Sequence, residues 1–323
     1  MEKGIILSTK ELALQKVLAM FLSLLLIIGI ALVFHFPQVS LSLAMSAFLT
    51  SSVFWELPSQ QEKIRVFIKM ILALISLQFT IGFTENYRVV QLLAAVAVTF
   101  CIFEIFDNRA AGLAVLLVGY VSFFTKVSFE SLLNNCFEFF MGMSVAAMVS
   151  LFRPKQVKAQ AQQFSKRTDS LKLTMETLLA LITAELFHLK QGVWVVLTIF
   201  FIQVAKGEGN QLVDLVKKRI LAVPAGLFCG ILFLSVFTYL NYQFFYIIPL
   251  LGGIGFFLLF SKGDFFGFSL FFMFTFMIFG DYKSGVLKEF HPWQFLFARS
   301  LATLIGAVIA IVFDKYWSLG KDD

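Results

Sequence analysis

Apolar residues run along this chain in blocks of about 15–20, each closed by a short polar or turn-forming stretch, and none of the blocks alternates as a barrel strand would. The blocks fall at 17–35, 38–54, 66–83, 89–105, 110–124, 136–152, 172–189, 191–205, 219–239, 244–261, 264–280 and 294–313. Most are apolar all round, the pattern of a helix surrounded by lipid or by other apolar helices. Backbone N–H and C=O groups in hydrocarbon must be satisfied within their own segment, so each block is expected to be a helix. Pro37, Pro58, Asn86, Gly263 and Pro292 lie at or near the breaks between blocks. The pattern therefore predicts an all-α, polytopic membrane protein with twelve transmembrane helices.

One polar stretch, residues 153–170, interrupts the pattern near the middle of the chain. It carries Arg153, Lys155, Lys158, Lys166 and Arg167, with Gln and Ala between them. It is too polar to span and reads as a basic cytoplasmic linker of helical propensity. On either side lie an N-terminal six-helix repeat, 1–152, and a C-terminal one, 171–323. His35 and Gln38 correspond to His188 and Gln191, Asn86-Tyr87 to Asn241-Tyr242, and the segment Arg109–Gly112 to Asp264–Gly267. The near-constant offset argues for a duplicated unit. Six spans is an even number, so the repeats would be parallel, related by an axis along the membrane normal.

Composition agrees. Of 323 residues, 59% are hydrophobic, 14% are charged and 42 are Phe, with a mean hydropathy of +0.87. A soluble fold of this length leaves too many residues wet to hide that much apolar surface. The net charge of +6 could suggest nucleic acid. Its distribution excludes that partner. With the termini and linker placed inside, Lys and Arg number about 20 on the inner side and about 5 on the outer, the bias of cytoplasmic loops. The expected location is the inner (plasma) membrane, with both termini cytoplasmic. The first apolar run, near Val17, leads into a second and reads as a first span rather than a removed leader. Cys101, Cys136 and Cys229 lie in apolar blocks without paired spacing and suggest neither disulfides nor a metal site.

The chain has no nucleophile elbow, zinc-protease motif, P-loop or glycine-rich dinucleotide turn, so neither an enzyme nor a cofactor is expected. Ionisable residues at membrane depth are the remaining chemical signal, because they are costly there and face a cavity or a partner. Arg299 lies within the last span and Glu138 near the outer start of the sixth. Glu185 and His188 share a face near the outer end of the seventh, and Glu176 lies on its opposite face, nearer the inner end. One reading puts Arg299, Glu138, Glu185 and His188 along an outer half-channel, with Arg299 attracting an anion and the carboxylates and His exchanging protons. The other makes Arg299 and one Glu a structural ion pair and His188 an interface anchor. Glu104 and Asp107 read as solvated mouth residues. Trp55, Trp194, Trp293 and Trp317 all lie near expected interfaces, where aromatic belts form.

The second half carries Trp194-Val-Val-Leu-Thr198, a polar loop, then Arg219-Ile-Leu-Ala222-Val223-Pro-Ala-Gly226 running on to Gly230. This resembles the fusaric acid resistance family of aromatic acid exporters, whose repeat has Trp-x-x-x-Thr followed by Arg-x-x-Gly-Thr-x-x-Gly. Ala222 and Val223 depart from the Gly-Thr. Arg299-Ser-Leu-Ala302-Thr303-Leu-Ile-Gly306 echoes the Arg element on the last helix, and the first half lacks both elements. Gly226 and Gly230 share one face and would let two helices approach closely, as would Gly306. Arg219, beside Lys217 and Lys218, is either an anion-concentrating group at the inner mouth or a positive-inside anchor.

The resemblance implies an inner-membrane transporter exporting small organic, aromatic anions. Proton-gradient coupling is expected, as no nucleotide-binding motif is present. The substrate path would comprise Arg219, Arg299, Glu138, Glu185, His188, Glu176, Trp194 and Thr198. Expected partners are the anion, membrane lipid, a periplasmic adaptor of the membrane-fusion type and further copies of the chain. The alternatives are a channel-like organic anion pore and a non-transporting scaffold subunit of an envelope complex.

Overall fold

The computed structural model describes residues 9–33, 41–57, 59–84, 87–106, 109–125, 129–152, 166–189, 191–206, 211–237, 265–277 and 291–319. Every element among them is helical: α1 Thr9–Val33, α2 Leu41–Glu56, α3 Gln60–Phe83, α4 Arg88–Ile105, α5 Arg109–Thr125, α6 Phe129–Leu151, α7 Lys166–Leu186, α8 Val193–Lys206, α9 Leu212–Phe237, α10 Phe265–Phe276 and α11 Pro292–Leu319. The expected span at 244–261, linker residues 153–165, Asp107, His35 and the Asn241-Tyr242 pair lie outside the described residues.

Several helices begin well before the apolar block that announced them. α3 starts at Gln60 rather than 66, because Ser59 caps it: the Ser59 hydroxyl accepts from the Glu62 amide at 3.2 Å. α9 starts at Leu212 rather than 219, with Asp214 in its first turn and a 2.9 Å ion pair from Lys218 to Asp214. α6 starts at Phe129 rather than 136. Apolar runs mark the lipid-facing length, whereas Glu, Gln and Lys carry the helix on into polar surroundings.

Burial identifies the solvent. On α11, Arg299 and Thr303 face inward with Ala302 and Ala307, while Phe297, Leu304 and Val308 face outward. On α3, Lys63 and Gln78 are buried while Ile64, Ile68, Leu72 and Phe79 are exposed. Polar groups inside and large apolar groups outside is the arrangement stable in lipid. Among the described residues, four helices are long and apolar enough to cross a membrane: Gln60–Phe83, Arg88–Ile105, Leu212–Ser235 and Pro292–Trp317. Leu18–Ile30 and Val193–Gln203 are shorter apolar helices. The protein is thus an all-helical, membrane-embedded chain; the finer count of twelve spans in two repeats goes beyond these four.

The chain forms two compact units, Met1–Leu178 and Leu179–Asp323, divided within α7. In the N-terminal unit α2 packs on α6, α1 and α5, and α3 packs on α4, α5 and α6. Gly142 sets the α2–α6 approach, since a Cβ there would collide with the Ser46 hydroxyl and come within 2.7 Å of the Leu43 carbonyl oxygen. In the C-terminal unit α9 packs on α10, and α11 packs on both α8 and α9. Gly306 sets the α8–α11 approach, facing the Val195 carbonyl oxygen with Thr198 Cβ 3.0 Å from where its own Cβ would stand. Gly226 and Gly230 face Leu270 and Met273 of α10 and Met277 just after it.

Candidate functional site

The C-terminal unit encloses two arginines. Arg299, on α11, is 1% exposed. Its guanidinium lies 4.3 Å from the Trp194 ring centroid and 4.3 Å from that of Phe295, one turn earlier on its own helix. Nη2 donates to Gln191 Oε1 at 3.0 Å. Gln191 is held in the turn before α8, where its carbonyl accepts from the Trp194 amide at 3.0 Å. Flat rings on a flat cation, with a neutral amide oxygen at its edge, stabilise the charge.

Arg219, on α9, is wholly buried, with its guanidinium 4.7 Å from the Phe201 centroid. None of its three side-chain nitrogens has a hydrogen-bond partner among the described residues. The sequence places Arg219 at the first residue of a span, at a wet mouth. Because α9 begins at Leu212, it lies about two turns inside the helix instead. Lys217 is exposed, whereas Lys218 is half-buried and tied to Asp214.

The two cations are linked by rings. Trp194 and Phe201 are seven residues apart on α8, hence on one face and roughly 10 Å apart along the axis. Phe272 of α10 meets both edge-on, at 6.3 Å from Trp194 and 4.8 Å from Phe201. Between the two rings on α8 lies Thr198, fully buried. On α11, Thr303 follows Arg299 by one turn and is 1% exposed. The hydroxyls of Thr198, Thr303 and, on α10, Ser269 have no hydrogen-bond partner among the described residues.

The other expected site residues are placed differently. Glu138, on α6, is half-buried and belongs to the N-terminal unit. Glu176 is wholly buried on the N-terminal side of the division, with Lys172 Nζ 3.8 Å away. Glu185 is half-buried near the end of α7. His188 is exposed and has a positive φ of 47°. Its amide donates to the Glu185 carbonyl at 3.1 Å and that of Leu189 to Ala184 at 2.9 Å, which together make a Schellman closure of α7 with His188 at the left-handed position. Trp194, placed by sequence in an interfacial belt, is 0% exposed and packs on Arg299; Trp55 is also buried, while Trp293 is exposed. Sequence reasoning did not assign Gln191, Phe295, Phe201, Phe272, Thr303 or Ser269 to the site. Helical spacing from Arg299 and Trp194 was the available signal for Phe295, Thr303 and Phe201.

Fold and site together define a helical membrane protein with cations enclosed by aromatic rings inside one unit. Residues 179–313 match the family model described as fusaric acid resistance protein-like, which bears out the resemblance carried by Trp194, Thr198, Arg219 and Gly226. The matched stretch lies within the C-terminal unit and includes both arginines. No curated protein and no solved structure matches the chain.

Proposed function

We propose that this chain is an inner-membrane transporter exporting small organic anions, aromatic carboxylates among them, driven by the proton gradient. The observation that carries the reading is Arg219: a cation buried in a membrane-embedded helix with no hydrogen-bond partner on any of its nitrogens among the described residues. Charges at that depth are costly and are kept for a partner. A carboxylate supplies the missing acceptors through paired charge-assisted hydrogen bonds. The rings of Trp194, Phe201 and Phe272 beside the two arginines suit a flat apolar body attached to it. The fusaric acid resistance protein-like match over the same residues supports transport.

The excess of Lys and Arg in the expected inner loops supports cytoplasmic termini. A periplasmic adaptor and self-association belong to the same reading. The channel alternative draws on Arg219 too, whose described neighbour is a ring rather than a titratable carboxylate.

The test is flux of radiolabelled benzoate and of a dicarboxylate in liposomes holding the purified chain, with and without an imposed pH gradient. The proposal expects benzoate flux that rises with the gradient. Flux indifferent to the gradient identifies a channel, and no flux of either anion identifies a scaffold.

A further inference from the structure

The two arginines are held at different levels of α8. Their ring partners Trp194 and Phe201 are separated by two turns of α8, roughly 10 Å, while a small carboxylate offers one charged end. Each arginine has its own setting: Trp194, Phe295 and Gln191 around Arg299, and Phe201 beside Arg219. Thr198 lies between these two rings on α8, and Thr303 stands one turn beyond Arg299 on α11. Their buried hydroxyls are unengaged among the described residues.

Among the described residues of the N-terminal unit, no buried hydroxyl is left in this way. The buried hydroxyls of Ser23, Thr99, Thr174 and Thr177 each donate to the carbonyl one turn earlier, at 2.7–2.9 Å. That back-bond is the usual way to satisfy a hydroxyl in a helix surrounded by apolar groups. A Thr hydroxyl left free at such a site is available to a visiting acceptor, and leaving it empty is costly.

We propose that the C-terminal unit holds two anion stations in series, one at Arg219 and one at Arg299, and that an anion passes between them over the Thr198 and Thr303 hydroxyls. The step is non-covalent. The carboxylate exchanges the guanidinium hydrogen bonds of one arginine for a hydroxyl bond, then for those of the other arginine. Trp194, Phe272 and Phe201 give the apolar part of the anion a continuous surface along the same line. This inference rests on the transport reading above and adds the number of sites and the route.

Equilibrium dialysis of the purified full-length chain against radiolabelled benzoate tests it. Wild type should bind two benzoates per chain, Arg219→Gln and Arg299→Gln one each, and the double variant none. Arg219→Lys and Arg299→Lys, which keep the charge, should return the count to two. In a background carrying Trp55→Phe, Trp293→Phe and Trp317→Phe, Trp194 fluorescence should respond to benzoate in Arg219→Gln and stay silent in Arg299→Gln. The pair Thr198→Val with Thr303→Val preserves shape and removes only the hydroxyls. It should still bind two benzoates while flux falls about tenfold or more, as for loss of hydrogen bonds to a charged group. One benzoate per wild-type chain with flux intact overturns the stations and leaves the transport reading standing. So does loss of all binding in either single Gln variant accompanied by loss in its Lys counterpart. Unchanged flux in the Thr pair overturns the route. Neither binding nor flux in wild type removes both this inference and the transport reading.

Discussion

The N-terminal and C-terminal units use one packing device and opposite treatments of buried hydroxyls. In each, two helices are drawn together by a glycine facing the partner's backbone: Gly142 of α6 against Leu43 of α2, and Gly306 of α11 against Val195 of α8. In the N-terminal unit the buried hydroxyls close on nearby protein. Ser23, Thr99, Thr174 and Thr177 bond back along their own helices. Thr99 also meets the Tyr120 hydroxyl at 2.7 Å, and Lys63 donates to the Ser150 carbonyl near the end of α6 at 2.8 Å. Trp55 Nε1, Gln15 Oε1 and Glu104 Oε1, none of them a hydroxyl, are exceptions of another kind among the described residues. In the C-terminal unit Thr198, Thr303, Ser269 and Arg219 are buried and left open among the described residues. An unsatisfied buried polar group costs about 1–3 kcal/mol. Unsatisfied hydroxyls kept in one unit, where the other bonds its own back, fit the proposal that a ligand completes the C-terminal unit.

The largest expected effect would show that the shared device matters equally in both. Gly142→Val and Gly306→Val each push a side chain into a neighbour's backbone. Each should cost about 3 kcal/mol and lower the thermal midpoint in detergent. A midpoint moved by only one of the two variants would break the parallel. Next comes Phe201→Leu, which removes the ring from Arg219 and keeps the site apolar. About 2 kcal/mol of cation–π stabilisation in a desolvated site should go, with benzoate flux reduced. Unchanged flux and an unchanged midpoint would mean that Arg219 is held by something else. Tyr120→Phe, in the N-terminal unit, deletes a hydroxyl that meets Thr99, and should lower stability by about 1 kcal/mol without touching flux. Smallest is His188→Gly. It relieves a left-handed backbone at about 1 kcal/mol and should raise the midpoint slightly with normal flux. A loss of flux there would support His188 as part of the substrate path.

Much of this was legible in the sequence, and what was not has physical reasons. The helices could be read because lipid leaves an apolar run little other choice, and Arg299 because a charge inside such a run is conspicuous. Trp194 was misplaced because a tryptophan near a break reads as an interface anchor, and only packing shows its ring against a guanidinium. Arg219 was set at a mouth because hydropathy marks the apolar block and not the polar turns Leu212–Lys218 that extend the helix beyond it. The Ser59-Gln-Gln-Glu62 cap was readable and passed over. Thr198 stood out through its motif, but neither it nor Thr303 showed in the sequence that its hydroxyl is unengaged; whether a hydroxyl bonds back to its own helix depends on its rotamer.

The central claim is that the arginines of the C-terminal unit carry the anion while arginines elsewhere serve structure. The N-terminal unit offers the control. Arg88 lies 4.1 Å from the Phe123 ring and donates to Gln91 Oε1 at 2.6 Å, a setting chemically like that of Arg299, but it is half-buried. Benzoate flux in liposomes should therefore be compared for Arg299→Gln and Arg88→Gln, each reconstituted at equal folded amounts. The account predicts that Arg299→Gln loses flux by about a hundredfold or more while Arg88→Gln stays within about threefold of wild type. Equal losses in the two variants, or full flux in Arg299→Gln, would contradict it.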